Sequence, residues 1–398
     1  MKWASAVSES NNLREAISES CFRVTSELGG LKPDLVMIFP SSHYDQGYEL
    51  IPQMIRFELG DCIIFGCSGT SVMGAGREIE YKPGFAMIAG SLPGVELTSF
   101  HIENNDIPDG DDPPNNWENL IGIRSEQRPD FVILADPFSI QVEKLLMGLD
   151  FAFPHSTKVG GLASGGRSYA ENALYVNSNI HRSGAIGLAL HGNVVLDTIV
   201  SQGCRPIGKV MQVTKCEGNE LIELNEQTPF EALKEMFTML SDRDKELIQH
   251  SLFLGIVMDE LRNDPQLGDF LIRNIVEIDP RTGTLKISEL LKEGQTVQFH
   301  LRDADTSSKD LRSMLTHYKK NGLRESASSA LLFQCLGRGS YLYGKPNHDT
   351  LMFKDLVGDI PLAGFFCNGE IGPVSGYTYL HGYTSAYGIF KPKLKEAN

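Results

Sequence analysis

Apolar residues fall in short bursts along this chain, and the order of the bursts repeats. Leu35-Val36-Met37-Ile38-Phe39-Pro40, introduced by Lys32-Pro33-Asp34, reads as a strand. Tyr48, Ile51, Met54, Ile55 and Leu59 follow at helical spacing. Cys62-Ile63-Ile64-Phe65 then runs into the small-residue stretch Gly66-Cys67-Ser68, and Gly84 to Ala89 closes the set as another strand. The same order starts again at Arg128-Pro129-Asp130. It runs through a strand at Phe131–Ala135, a helix from Ile140 to Leu149, Gly160-Gly161, and a strand from Gly184 to Leu190. It returns near the C-terminus with Ala330–Phe333, Gly364-Phe365-Phe366 and Ser385–Phe390.

The spacings agree. Strand start to glycine turn is 31, 29 and 34 residues (Leu35 to Gly66, Phe131 to Gly160, Ala330 to Gly364), and glycine to the start of the closing segment is 18, 24 and 20 (Gly66 to Gly84, Gly160 to Gly184, Gly364 to Thr384). Internal duplication follows. The stretch between copies two and three reads as a more divergent fourth. It has a strand at Asn193–Val200, a glycine turn at Gly203-Cys204-Arg205-Pro206, and a helix opened by the capping box Thr228-Pro229-Phe230-Glu231. Strands are expected at Leu252–Val257, Phe270–Ile272 and Thr296–Leu301, and a helix at Asp310–Asn321 stopped by Gly322. The acidic, proline-rich stretch 107–116 reads as a solvated loop that no helix can enter. The expected fold is mixed α+β and α/β. Two domains, 1–200 and 201–398, are each built from repeated strand-helix-strand-strand units around twisted mixed sheets.

Charge and cysteine content narrow the function. The 398 residues carry 36 Lys+Arg against 51 Asp+Glu, a formal net charge of −15, which repels phosphate backbones and anionic lipid. Nucleic-acid and membrane partners are therefore not expected. No apolar run reaches the roughly 18–20 residues that span a bilayer, and the first residues lack a secretory or transit pattern. Seven cysteines without a CxxC pair argue against structural zinc and a disulfide framework, and for a reducing compartment. The cytoplasm is the expected location, or an organelle if a targeting peptide has been removed.

Candidate chemistry gathers at the glycine stretches. Backbone N–H groups at Gly66, Cys67 and Ser68, and again at Gly160-Gly161, can approach ligand oxygens closely. Asn368-Gly369-Glu370 stands at the matching place in the last copy, and Glu370 there needs either solvent or a cationic partner. Arg167, Arg273, Arg302 and Arg338 are candidate clamps for a ligand carboxylate, Arg167 and Arg338 in glycine-rich settings and Arg273 and Arg302 in presumed strands. Catalysis through Cys67, Ser68 or Cys367 lacks a partner order of His and Asp, so no catalytic constellation and no enzyme activity is expected. Histidine pairs with metal spacing are missing from the sequence, so no metal is expected. Haem through a lone His155, His181, His191 or His381 is the one cofactor left open.

With those residues identified, the chain resembles the FIST family of paired FIST-N and FIST-C domains. The opening Met1-Lys2-Trp3-Ala4-Ser5-Ala6, the Gly66-Cys67-Ser68 stretch and Phe153-Pro154 through Gly161 are similar to FIST-N. Gly203-Cys204-Arg205-Pro206 resembles the junction. Phe270–Ile275, Phe333–Gly339 and Gly364–Pro373 are similar to the distinctive FIST-C stretches. The resemblance implies sensing of small molecules, amino acids being the proposed ligands; some members use haem, and others serve ubiquitin ligases or kinases. The chain begins and ends with the two domains, so its signal is expected to pass through a protein partner. The first copy's glutamate comes late, at Glu78, which weakens any one-to-one role for it. A ligand-free interaction scaffold is the competing reading.

Overall fold

The computed structural model describes residues 1–260, 262, 264–321 and 327–393. Its described residues form two compact units: 1–200 with 312–321, 327–380 and 384–393, and 201–260, 262 and 264–311 with 381–383. That division differs from two halves meeting at residue 200.

The first unit contains three copies of one design. In the first, β1 (Lys2–Ser8) and α1 (Leu13–Leu28) precede β2 (Leu35–Pro40), α2 (Ile51–Leu59) and β3 (Ile63–Cys67). A short hairpin, β4 (Val72–Gly74) and β5 (Arg77–Ile79), leads to β6 (Phe85–Ser91). The second repeats the order as β7 (Val95–Ile102), α3 (Pro114–Ile121), β8 (Asp130–Ala135), α4 (Val142–Ala152) and β9 (Lys158–Leu162). Its hairpin is β10 (Leu174–Val176) with β11 (Asn179–His181), and β12 (Ala185–Gly192) closes it.

The third copy opens with β13 (Val195–Ser201), and the second unit is inserted before the copy resumes. That insertion runs through β14 (Cys204–Glu217), β15 (Glu220–Leu224), α5 (Pro229–Met239), α6 (Asp242–Ser251), β16 (Leu252–Val257), β17 (Phe270–Ile278), β18 (Leu285–Ile287) and β19 (Thr296–Arg302). The copy continues with α7 (Ala304–Asn321), β20 (Ser329–Cys335), α8 (Gly339–Tyr343), α9 (His348–Leu356) and β21 (Leu362–Cys367). The hairpin β22 (Glu370–Val374) and β23 (Tyr377–His381) and the final β24 (Ser385–Lys391) complete it.

Each copy makes a mixed sheet from a parallel pair flanked by antiparallel strands: β2 beside β3, β8 beside β9, and β20 beside β21. The hairpins are exchanged in a ring. β10–β11 of the second copy extends the first sheet at β3, β22–β23 of the third extends the second sheet at β9, and β4–β5 of the first extends the third sheet at β21. The inner faces share one apolar core, in which Phe39 stacks on Phe365 at 5.3 Å. Helices cover the outer faces, α1 and α2 burying Ile17, Val24, Ile51 and Ile55 over the first sheet.

The second unit departs from the expected fourth copy. Its six strands close into a barrel in the order β14-β15-β18-β17-β16-β19, filled by Val213, Leu254, Phe299 and Leu301 and capped by Met236 of α5. Gly203-Cys204-Arg205-Pro206 is no turn: a 14-residue strand begins at Cys204. The capping box at Thr228 and Glu231 forms as read. Stretch 107–116 is corrected at its end, because Pro114 takes a first-turn position of α3, where its missing N–H costs nothing. The expected helix at Asp310 starts six residues earlier, at Ala304, and Gly322 lies outside the described residues.

Candidate functional site

The glycines expected to form open turns lie inside strands. A Cβ on Gly66 would sit 1.9 Å from the carbonyl oxygen of Ile38, on Gly160 1.7 Å from that of Ile133, and on Gly364 1.8 Å from that of Leu332. In all three copies the parallel neighbour occupies the space a side chain would need, so the recurrence of glycine has a packing cause. Beyond them the strand ends lock together. The Ser164 hydroxyl donates to the carbonyl of Phe366 and accepts from Thr70 N–H at 2.8 Å, joining all three copies through one side chain. Ser68 Oγ accepts from Ala173 N–H at 3.0 Å. Cys67 and Cys367 are buried in the shared core, and desolvation pushes both thiols well above their ordinary range. Gly161 lies against Cys367, opposite Glu370 in register, and the Gly369 carbonyl accepts from Leu162 N–H at 2.8 Å. Glu370 is buried, its Oε2 accepting from Thr384 N–H at 3.0 Å and Oγ at 2.7 Å. Asn368 is exposed and donates to the Ala163 carbonyl at 3.0 Å.

The arginines separate. Arg167 is exposed, beside a groove of about 560 Å³ bordered by Ser42, Tyr48, Gly165, Glu171 and Arg182. Arg273, in the barrel, donates from Nε to Glu289 at 2.8 Å. Arg338 is fully buried at the carboxyl end of β20. That end of a parallel pair is where open α/β sheets place their sites.

Around Arg338 the chain builds a closed polar network. Its Nε donates to Asp349 Oδ2 at 2.8 Å and its Nη2 to the Tyr343 hydroxyl at 2.6 Å. Ser385 Oγ donates to the same Asp349 oxygen at 2.6 Å, and His348 Nδ1 lies 2.8 Å from the other. The His348 ring stacks on Tyr343 at 3.5 Å. Glu78 reaches in on the exchanged hairpin. Its Oε1 accepts from Asp349 N–H at 3.1 Å and Thr350 N–H at 3.0 Å, so a residue of the first copy caps α9 of the third. Burial, then the nearby Asp349 charge, pushes the Glu78 carboxyl up to about 8 despite those amides. The guanidinium of Arg338 is the largest influence holding Asp349 in the opposite direction, well below the carboxylate range, against its own burial.

The network is incompletely satisfied. Glu78 Oε2, Arg338 Nη1 and both polar atoms of the Gln334 side chain are buried without a hydrogen-bond partner among the described residues. Gln334 stands opposite Ser385 in the β20–β24 register, so its side chain shares the face on which Ser385 meets Asp349. Of the candidate residues expected from the sequence, Arg338 stands in this network, with Asp349 and Glu78 beside it. Gln334 and Asp349 carried no sequence signal: the chain between Arg338 and Asp349 breaks after α8 and restarts as α9, so only the fold brings Asp349 back to the guanidinium.

The four histidines left open for haem lie apart in the fold. His181 lies flat on His101 at 3.7 Å, His191 is 3.5 Å from Glu96, His155 is exposed and His381 is buried at the end of β23. Among the described residues no helix is long and apolar enough to cross a membrane.

Three α/β copies with cyclically exchanged hairpins and an inserted barrel define the class. The chain belongs to the FIST family: the FIST N domain matches residues 34–227 and the FIST C domain residues 229–373. An uncharacterized protein of Mycobacterium tuberculosis is 34% identical over 393 residues, 98% of this chain and 100% of that protein. An uncharacterized Mycobacterium bovis protein is 33% identical over 380 residues, 95% of each. An F-box/LRR-repeat protein of Arabidopsis thaliana is 29% identical over 112 residues, 24% of this chain and 21% of that protein. A solved cyanuric acid hydrolase from A. caulinodans covers 98% of this chain and 100% of its own at 8% identity, with a TM-score of 0.35. The two family domains meet between β15 and α5, inside the barrel rather than between the compact units.

Proposed function

We propose that this chain is a small-ligand-binding sensory protein, that its ligand is amino-acid-like, and that it signals through a protein partner. One observation carries the reading: Glu78, Gln334 and Arg338 hold buried polar atoms that none of the described residues satisfies. Buried donors and acceptors left this way are costly, and a ligand bearing both a carboxylate and an amine would recover that cost. Arg338 Nη1 suits the carboxylate, Gln334 offers a donor and an acceptor, and the protonated Glu78 carboxyl can pass its proton to a neutral amine and then accept from the ammonium formed. Binding rather than catalysis is favoured because Cys67 and Cys367 are sealed and held as thiols. Admission of the ligand requires the hairpin β4–β5 or α8–α9 to move, which gives a partner something to detect.

The test is a thermal-shift panel of amino acids and small carboxylic acids on the intact protein and on Gln334→Leu. A saturable rise in Tm for a few compounds, lost in the variant, supports the reading. No shift from any compound, with Gln334→Leu less stable than wild type, overturns it.

A further inference from the structure

The barrel holds a second cation with unsatisfied N–H groups, Arg302, one of the arginines expected from the sequence to clamp a carboxylate. Arg302 closes β19 and is 7% exposed. Its Nε and Nη2 are both buried without a hydrogen-bond partner among the described residues. These two atoms form one edge of the guanidinium, the edge that grips a carboxylate with two parallel N–H···O bonds. A buried guanidinium with that edge empty is a costly arrangement for a structural residue. The adjacent acid does not relieve it. Asp303 accepts from Arg205 Nε at 3.3 Å and Arg243 Nη2 at 3.4 Å, and caps α7 through Thr306 N–H at 2.9 Å.

A second observation marks the same place. Tyr383 lies over the Arg302 guanidinium at 5.1 Å and packs on Phe253 at 4.3 Å between ring centres. Its hydroxyl is hydrogen-bonded to Asn274. Its backbone φ is +68°, the left-handed region that bulky side chains avoid. Such backbone persists where the surroundings impose it, and it collects at ligand clamps.

We propose that Arg302 is the recognition group of a carboxylate site in the barrel, with Tyr383 as the movable ring that covers it. The charge fits a monoanion. Arg273 is already bound to Glu289, and Arg205 and Arg243 to acids, leaving one guanidinium edge to neutralise one charge. A phosphate would bring more charge than that edge can match. The apolar cluster of Phe253, Val257, Phe270 and Ile272, on which Tyr383 packs, suits an apolar body behind the carboxylate. The ligand class is therefore a small monocarboxylate with an apolar or aromatic remainder.

The experiment follows the arginine Nε–H resonances of the intact protein by NMR while sodium benzoate is added. Benzamide serves as the uncharged control and inorganic phosphate as the competing anion. One arginine resonance should shift saturably with benzoate, stay still with benzamide, and disappear in Arg302→Met. Arg302→Lys keeps the charge without the fork, and its affinity should fall roughly tenfold or more, the scale of a lost charge-assisted bond. Arg302→Met should melt no lower than wild type. A benzoate titration that moves no arginine resonance overturns the proposal. So does a response to phosphate alone, or an Arg302→Lys protein that binds benzoate as tightly as wild type. Substitutions at Gln334 should leave the benzoate response intact, which separates this site from the one around Arg338.

Discussion

Arg338 and Asp349 form an ion pair at 2.8 Å in which neither side chain reaches solvent. The pair is reinforced by Ser385, Tyr343 and His348, so each charge is held by more than its partner. Removing one member leaves the other buried and uncompensated. Asp349→Asn or Arg338→Met should cost about 3–5 kcal/mol in urea unfolding. The double variant Arg338→Met/Asp349→Leu should cost clearly less than the sum of the two.

Gln334→Leu should act in the opposite sense. It removes two buried polar atoms that have no partner among the described residues while keeping side-chain volume. The ligand-free protein is expected to gain about 1–3 kcal/mol, read as a raised urea midpoint at unchanged m-value.

Acid–base behaviour should identify Glu78. Its folded value is raised from 4.5 to about 8, so between those limits the folded state binds more protons than the unfolded one. The stability associated with it is complete below pH 4.5 and is lost as pH rises to about 8. Glu78→Gln should flatten the stability profile across that window, measured by thermal melts at a series of pH values.

The strand glycines should tolerate no Cβ. Gly160→Ala places a methyl 1.7 Å from the Ile133 carbonyl, so the parallel pair β8–β9 has to separate. A loss of at least about 1–3 kcal/mol is expected, with the same direction for Gly364→Ala. Circular dichroism melts of purified variants check this.

Thiol reactivity should divide the cysteines. Cys67 and Cys367 are fully buried, whereas Cys216 and Cys335 are partly accessible. Native protein should label at the latter two first, and Cys67 and Cys367 should label only with global unfolding, followed by mass spectrometry of peptides.

The three copies were legible because apolar strands and a glycine forced by a neighbouring carbonyl recur at matched spacing. The barrel was not, since its strands share the same two-residue period and nothing local says whether a strand closes on itself or on a helix-backed sheet. Hairpin exchange left no trace for a similar reason. Val72–Ile79 reads identically whether it pairs with its own sheet or with another copy's. This is also why Glu78 was set aside: compared with Glu370 by sequence offset it looked misplaced, although it lies on the outer strand of its hairpin and Glu370 on the inner strand of another. Arg338 was legible from its glycines; Asp349, brought to it only by the fold of α8 and α9, was not.

The ring of exchanged hairpins also sets a schedule for synthesis. Gly74 pairs with Ala363, so the β4 edge of the first hairpin leaves the ribosome with no strand to pair against until nearly 290 further residues have been made. Its third-copy partners arrive last, after the barrel's entire sequence. Wherever synthesis stalls before β21, the nascent chain presents an unpaired strand edge, and unpaired edges recruit aggregation and chaperones. Truncated products of this protein should therefore be short-lived in the cell, however well the finished chain is locked.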